Sequence, residues 1–232
     1  MSYFITRIET KYLVHKDVFD AIKADSLPHL TEDRYFFYRV HNVYFDNDDD
    51  LVITRSLERP LYKEKLRVRM YQHEGNHFQD ACIELKKKHL GVVYKRRKKL
   101  SLDEAQQVLD IGVDSLQDKC QVLNEILYFA KKTNCYPKMY LGYDRYSYVA
   151  KDDPDLRVTF DFNIVSRREN LGFLNRESDS LPLLHNFLIM EIKSPNNYPL
   201  WLVRVLNKYK IYPVSFSKYG KLFTREKLEN IA

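Results

Sequence analysis

Lysines and arginines in this sequence recur at every second position in several short runs, a spacing that could bind a multiply charged anion. Lys65, Arg67 and Arg69 alternate with Leu66, Val68 and Met70. Glu84, Lys86 and Lys88 alternate with Ile83 and Leu85, and Lys95 and Arg97 are two apart. Arg157, Thr159, Asp161 and Asn163 alternate with Val158, Phe160, Phe162 and Ile164, while Glu191 and Lys193 interrupt an apolar run. In a β-strand, residues two apart share a face, so each run has one cationic face and one apolar face. Cations facing one another across neighbouring strands repel, and a multiply charged anion relieves that repulsion. The carboxylates among them (Glu9, Glu84, Asp161, Glu191) suit a hard divalent cation bridging such an anion. A plainer reading leaves these residues as solvated faces of an open sheet carrying ordinary cross-strand ion pairs.

The elements that position these residues can be read from periodicity. Strands are expected over residues 3–14, 34–46, 62–71, 78–88, 92–97, 137–150, 156–165 and 186–193, with a hairpin turn at Gly75-Asn76. Helices are expected at 17–24, at or near 51–57, between 101 and 132, at 199–209 and at 218–229. Ser101 followed by Glu104 has the capping-box form. Helices 101–132 and the C-terminal pair would cover the apolar strand faces. Eight largely antiparallel strands can close into a barrel with a fillable interior. The expected fold is therefore α+β, a closed eight-stranded antiparallel barrel with helices outside, in one domain over 1–232. Arg67, Arg69, Glu84, Lys86, Arg145, Arg157 and Glu191 would face one cavity.

Composition sets the limits. The 232 residues include 38 Lys+Arg against 32 Asp+Glu, a net charge of +6, which favours an anionic partner without naming it. With 44% hydrophobic residues there is enough apolar area for a core, which excludes a disordered chain. Three cysteines without CxxC spacing exclude a zinc knuckle or a disulfide scaffold. Charges at Arg7 and Glu9 come too early for a signal peptide, and no apolar run is long enough to span a bilayer, so a cytoplasmic protein is expected. No P-loop, Rossmann fingerprint or GxSxG is present. His73 and His77 flank a turn without a third ligand. The acidic run 46–50 lacks the glycine and closing glutamate of a calcium loop, and it reads as a turn. Arg96, Lys98, Lys99 and Lys87 read as a solvated basic patch, and one or two of the 18 tyrosines could stack a base.

Taken in order, the segments Arg7-Ile8-Glu9-Thr10-Lys11-Tyr12, Lys65-Leu66-Arg67-Val68-Arg69 and Ile83-Glu84-Leu85-Lys86 form a series. Tyr143-Asp144-Arg145, Arg157-Val158-Thr159-Phe160-Asp161, Met190-Glu191-Ile192-Lys193 and Ser215-Phe216-Ser217-Lys218-Tyr219 continue it. The series resembles the catalytic domain of the vacuolar transporter chaperone (VTC) complex, a polyphosphate polymerase of the triphosphate tunnel metalloenzyme (CYTH-like) superfamily. The resemblance implies a metal-dependent phosphotransferase that moves the terminal phosphoryl group of ATP or another nucleoside triphosphate onto polyphosphate. It implies catalytic roles for Lys11, Arg67, Arg69, Arg145 and Glu191. Phosphate would be bound by these cations with Lys86, Lys95, Arg97, Arg157, Lys193 and Lys218, and Ser217 would add a hydroxyl. Mn²⁺ or Mg²⁺ would sit on Glu191, with Glu9, Glu84 and Asp161 as further candidates. Triphosphate and pyrophosphate are implied ligands, nucleic acid is not expected, and a membrane partner stays open.

Two departures qualify this. Hydrolysing relatives begin with an ExExK strand, and Arg7 replaces its first glutamate here, which favours the polymerase branch. The phosphate-sensing domain and membrane helices of the eukaryotic complex do not occur in this sequence, so coupling to translocation and inositol-phosphate control is not expected to carry over. The alternatives are a tripolyphosphatase or RNA 5′-triphosphatase of the same fold, a non-catalytic polyanion-binding module and a nonspecific nucleic-acid binder.

Overall fold

The structure, a computed structural model, describes residues 8–73, 78–90, 92–118, 120–173, 179, 182–195 and 197–229, and the side chains of 78–80 are not described. Arg7, Gly75-Asn76 and His77 lie outside the described residues.

In chain order the elements are β1 (Ile8–His15), α1 (Lys16–Ser26), β2 (Leu30–Asp46), α2 (Leu51–Leu57), β3 (Tyr62–Gln72), β4 (Phe78–His89) and β5 (Val92–Leu100). Then come α3 (Leu102–Asp110), a 3₁₀ turn at Val113–Ser115, α4 (Gln121–Thr133), β6 (Tyr136–Ala150), β7 (Arg157–Arg167), β8 (Phe187–Ser194), α5 (Leu200–Lys208), β9 (Pro213–Val214) and α6 (Lys218–Glu229). The α+β class is as expected. The count is nine strands rather than eight, in the hydrogen-bonded order β5-β4-β3-β2-β6-β7-β8-β1-β9. No ladder joins β5 to β9 among the described residues, so the expected closed eight-stranded barrel is corrected to a nine-stranded sheet with two edges. The extra strand is two residues long and pairs Lys11 with Val214 and Tyr12 with Pro213, too short to leave a periodic signal.

The chain forms two compact units, one made of 1–38, 143–164 and 182–217, the other of 39–142, 165–181 and 218–232. The second unit gathers its core on the apolar face of β3–β5. There Leu66, Val68, Ile83 and Leu85 pack against Ala105 and Val108 of α3 and Leu123 and Ile126 of α4. Burying a Leu, Ile or Val side chain contributes about 1.5–3 kcal/mol, and these are 0% exposed. The capping box starts α3: the Ser101 hydroxyl accepts from the Glu104 N–H at 3.0 Å, and the Ser101 N–H donates to the Glu104 carboxylate at 2.7 Å. In the first unit, Tyr12, Val14, Val158, Phe160, Met190 and Ile192 of β1, β7 and β8 pack against Ile22 of α1 and Leu202 and Val205 of α5.

The last helix does not follow the expectation that both C-terminal helices cover apolar faces. Tyr219 of α6 stacks on Tyr44 at 4.3 Å between ring centroids, and Tyr44 pairs with Arg67, on the charged side of its strand. The anchor is Asp46, fully buried at the end of β2. Its carboxylate accepts the N–H groups of Asn47, Val52 and Ile53 at 2.8–3.0 Å, fixing the start of α2, and the Tyr219 hydroxyl at 3.1 Å.

Candidate anion-binding site

The register of β3, β4 and β5 builds the charged face row by row. Arg67 pairs with Glu84, which pairs with Arg97. Lys65 pairs with Lys86, which pairs with Lys95. Arg69 pairs with Cys82 and Cys82 with Lys99, while Lys63 lies opposite Lys88. These strands therefore present Lys63, Lys65, Arg67 and Arg69 from β3, Lys86 and Lys88 from β4, and Lys95, Arg97 and Lys99 from β5. Nine cations face one described carboxylate on the three strands, Glu84.

Glu84 is 1% exposed and clamped from both sides. Its Oε2 accepts Arg67 Nε at 2.9 Å and Nη2 at 2.8 Å. Its Oε1 accepts Arg97 Nε at 2.7 Å and lies 2.6 Å from Lys95 Nζ. Burial alone would raise its pKa, but the charges of Arg67, Arg69 and Lys95 outweigh burial and hold it far below the usual carboxylate range. Arg67 also donates through Nη1 to the Tyr44 hydroxyl at 2.9 Å, and Arg69 donates to Asn42 Oδ1 at 2.8 Å. Each guanidinium is thus fixed by a neighbour on β2 or β4 and held in one orientation, as bidentate capture of phosphate oxygens requires.

In the lysine row Lys95 is held by Glu84, and Lys65 has Tyr44 beside it. Burial lowers the Lys65 pKa to about 8; Tyr44 opposes that shift, and the charges of Lys63, Lys86 and Arg67 reinforce it. Burial would raise the Tyr44 phenol, but Arg67, Arg69 and Lys65 bring it down to about 8. As pH rises through about 8, the Lys65–Tyr44 pair gives up a proton and with it a positive charge, which disfavours an anion. Affinity for sulfate, which stays fully ionised over this range, is therefore expected to fall between pH 7 and 9, well before ordinary lysines titrate at about 10.4. Lys65→Arg should flatten the profile. Sulfate affinity that stays level to pH 9 in the wild type would remove Lys65 and Tyr44 from the site.

The first unit carries a different pattern. Glu9 pairs with Lys193 and Lys193 with Arg157; Lys11 pairs with Glu191 and Glu191 with Thr159. Here charges alternate. Lys11 Nζ lies 2.9 Å from Glu9 and 3.8 Å from Glu191, Lys193 Nζ lies 2.9 Å from Glu191, and Arg157 is paired to Asp33. Burial opposes the Lys11 charge, but Glu191 and Glu9 outweigh it and raise its pKa. Arg145, nearly buried, grips Asp161 in a two-point bond at 2.5 and 2.8 Å.

Of the residues singled out from sequence, Arg67, Arg69, Glu84, Lys86, Lys95 and Arg97 share one face in the second unit. Lys11, Glu9, Glu191, Lys193 and Arg157 share one face in the first, with Arg145 on Asp161 beside them. Lys218 begins α6 in the second unit, and the exposed Ser217 precedes it. Sequence reasoning missed Tyr44 and Asn42 and left Lys63, Lys65, Lys88 and Lys99 out of the site. Alternation already set Lys65 and Lys88 on charged strand faces, Lys63 continues the β3 face, and Lys99 lies beyond the expected strand end at Arg97 and joins through cross-strand register.

A metal ion implied by the resemblance can be tested against these oxygens. Both oxygens of Glu84 and both of Asp161 accept cationic N–H groups. Glu191 and Glu9 are diagonal neighbours on one face, and an ion held by both would take the place of the Lys11 ammonium between them while Lys193 stays paired to the other Glu191 oxygen. Two carboxylates around a cation suit Mg²⁺ or Mn²⁺, which keep several waters and take remaining oxygens from phosphate. Among the described residues, no three His, Cys, Asp or Glu side chains form a metal-binding group, so a fully protein-built cage is not what these residues offer.

Antiparallel strands backed by helices, with cations ranked on the face away from the core, define an α+β sheet protein with a basic strand face. Its class is seen in a solved structure from Bacillus halodurans, a protein proposed to be an adenylate cyclase. That structure is 17% identical, with a TM-score of 0.58 over 91% of this chain and 93% of that one. A Vibrio parahaemolyticus protein with the same proposed assignment is 10% identical, with a TM-score of 0.49 over 93% of this chain and 97% of that one. The VTC domain family matches residues 6–224, nearly the whole sequence, and the chain belongs to that family. No protein of curated function matches it. Among the described residues no helix is long and apolar enough to cross a membrane.

Proposed function

We propose that this protein is a polyphosphate polymerase-like phosphotransferase, moving the terminal phosphoryl group of ATP or another nucleoside triphosphate onto a polyphosphate chain. The observation that carries this reading is the β3–β5 face, where nine cations share a face with one described carboxylate, in a chain of the VTC domain family.

Phosphoryl transfer needs positioning and charge stabilisation more than covalent help. Arg67 and Arg69, held by Glu84, Tyr44 and Asn42, bind phosphate oxygens as oriented forks. Lys65, Lys86 and Lys95 supply point charges whose mutual repulsion an anion relieves. By the family resemblance, Lys11, Arg145, Arg157, Lys193, Lys218 and the Ser217 hydroxyl also have phosphate-binding roles in this reading. Glu191, with Glu9 beside it, would hold Mn²⁺ or Mg²⁺. Such an ion, when bound, neutralises charge on phosphate oxygens. The acceptor is a phosphate terminus, already ionised at neutral pH, so no general base is required.

Incubation of the pure protein with ATP and Mn²⁺ tests this. The expected result is long polyphosphate chains and ADP in step with one another. Free phosphate without polymer would replace the polymerase with a triphosphate hydrolase, and pyrophosphate with cyclic AMP would replace it with a cyclase.

A further inference from the structure

The charged face of β3–β5, with Lys63 and Lys88 as its last row, ends at an exposed apolar tip. The core face of these strands, apolar and covered by α3 and α4 as far as Leu85, continues through Lys87, which pairs with Glu64 and with Glu125 of α4, to the end where β4 leads into β5. There Tyr62, Val92 and Tyr94 are 48–51% exposed on the core side of the strands. Val93, paired with Lys88, is 49% exposed on the opposite side. Leu61 and Leu90, where the chain reverses, are 74% and 66% exposed and joined by a hydrogen bond from the Leu90 N–H to the Leu61 carbonyl at 3.0 Å. Leu90 takes a positive φ of 46°, in the region that favours glycine, so a large apolar side chain stands in water on a backbone shape that ordinarily selects against it.

Cations stand directly behind this tip. Lys63 faces Lys88 across the strands, and burial followed by the charges of Lys88 and Arg59 lowers the Lys63 pKa. Apolar side chains therefore project from both faces of the sheet end and from its chain reversals, with Arg59, Lys63 and Lys88 behind them and Glu64 neutralised by Lys87 on the core side. A flat protein surface covers one side of such a tip, whereas a fluid bilayer interface closes around all of it and offers anionic headgroups at the depth of the cations.

We propose that this end of the β3–β5 sheet docks on an anionic lipid bilayer, with Leu61, Leu90, Val92, Val93 and Tyr94 entering the interface and Arg59, Lys63 and Lys88 meeting headgroups. The inference stands on this tip alone and does not depend on the proposed reaction. Sedimentation with phosphatidylserine-containing phosphatidylcholine vesicles tests it in the full chain. The wild type is expected to pellet with them and far less with pure phosphatidylcholine. Leu61→Ser/Leu90→Ser keeps every cation, and it is expected to lose about tenfold or more in partitioning, the scale of two leucines withdrawn from an apolar contact. Leu90→Trp is expected to shift its emission to the blue on vesicles and to be quenched by brominated acyl chains. Failure of the wild type to bind overturns the proposal. Equal binding by the double serine variant also overturns it, because attraction through the cationic face alone would then suffice. A concentration-dependent dimer abolished by the same variant, with no vesicle binding, would assign the tip to a second copy of the chain instead.

Discussion

Replacing Glu84 by Gln is expected to destabilise the ligand-free protein by about 3 kcal/mol, and added sulfate or tripolyphosphate is expected to restore most of that loss. The carboxylate is 1% exposed and neutralises Arg67, Lys95 and Arg97 together. Removing one partner from a buried ion cluster costs roughly 3–5 kcal/mol because the remaining charges stay desolvated. The lower end applies because the Lys95 and Arg97 side chains keep 40% and 41% of their exposure and can reach water. An anion bound to the freed cations supplies the missing negative charge, and a ligand at a hundredfold excess over its Kd adds about 2.7 kcal/mol. Urea unfolding with and without sulfate measures both effects. A Gln variant as stable as the wild type, or one that sulfate does not rescue, would mean these cations are individually solvated and the face is not under repulsion.

Glu191→Gln is expected to separate binding from turnover. Glu191 is 7% exposed, between Lys11 and Lys193, so its loss raises the positive potential on that face. Tripolyphosphate should then bind as tightly as before or more tightly. Metal-dependent turnover should fall about a hundredfold or more, since a catalytic metal supplies several kcal/mol of transition-state stabilisation and each 1.36 kcal/mol is tenfold in rate. Arg67→Ala should weaken binding and turnover together, because a phosphate contact made in the ground state is used throughout. Wild-type turnover in Glu191→Gln would leave Glu191 as an ion-pair partner of Lys11 and Lys193 and nothing more.

Much of the charged face was legible in the sequence, because strand alternation is a strictly local rule. Lys65, Arg67 and Arg69 against Leu66, Val68 and Met70 could be sorted to two faces without any partner strand. Register was not legible. Whether Glu84 lies opposite Arg67 or one residue away depends on a turn and on packing across the sheet, and a slip of one residue would have put Glu84 in the core. The role of Glu84 as a clamp between three cations, rather than one more carboxylate offered to a metal, follows from that register. Tyr44 and Tyr219 show a second limit. Both read as packing aromatics, yet their stack fixes α6 on the charged side, through a hydrogen bond from Tyr219 to the buried Asp46 that spans 173 positions in sequence. Strand β9 shows a third, for a two-residue pairing has no period to detect.

Calorimetric titration of the ligand-free protein with tripolyphosphate decides whether the β3–β5 face is an anion site. The predicted result is saturable binding at low ionic strength that weakens as salt screens the outer cations. Arg67→Ala/Arg69→Ala should abolish it while the core packing around Leu66 and Val68 keeps the protein folded. Heats no larger than dilution, or a double variant that binds as tightly as the wild type, would mean that this face is not an anion site.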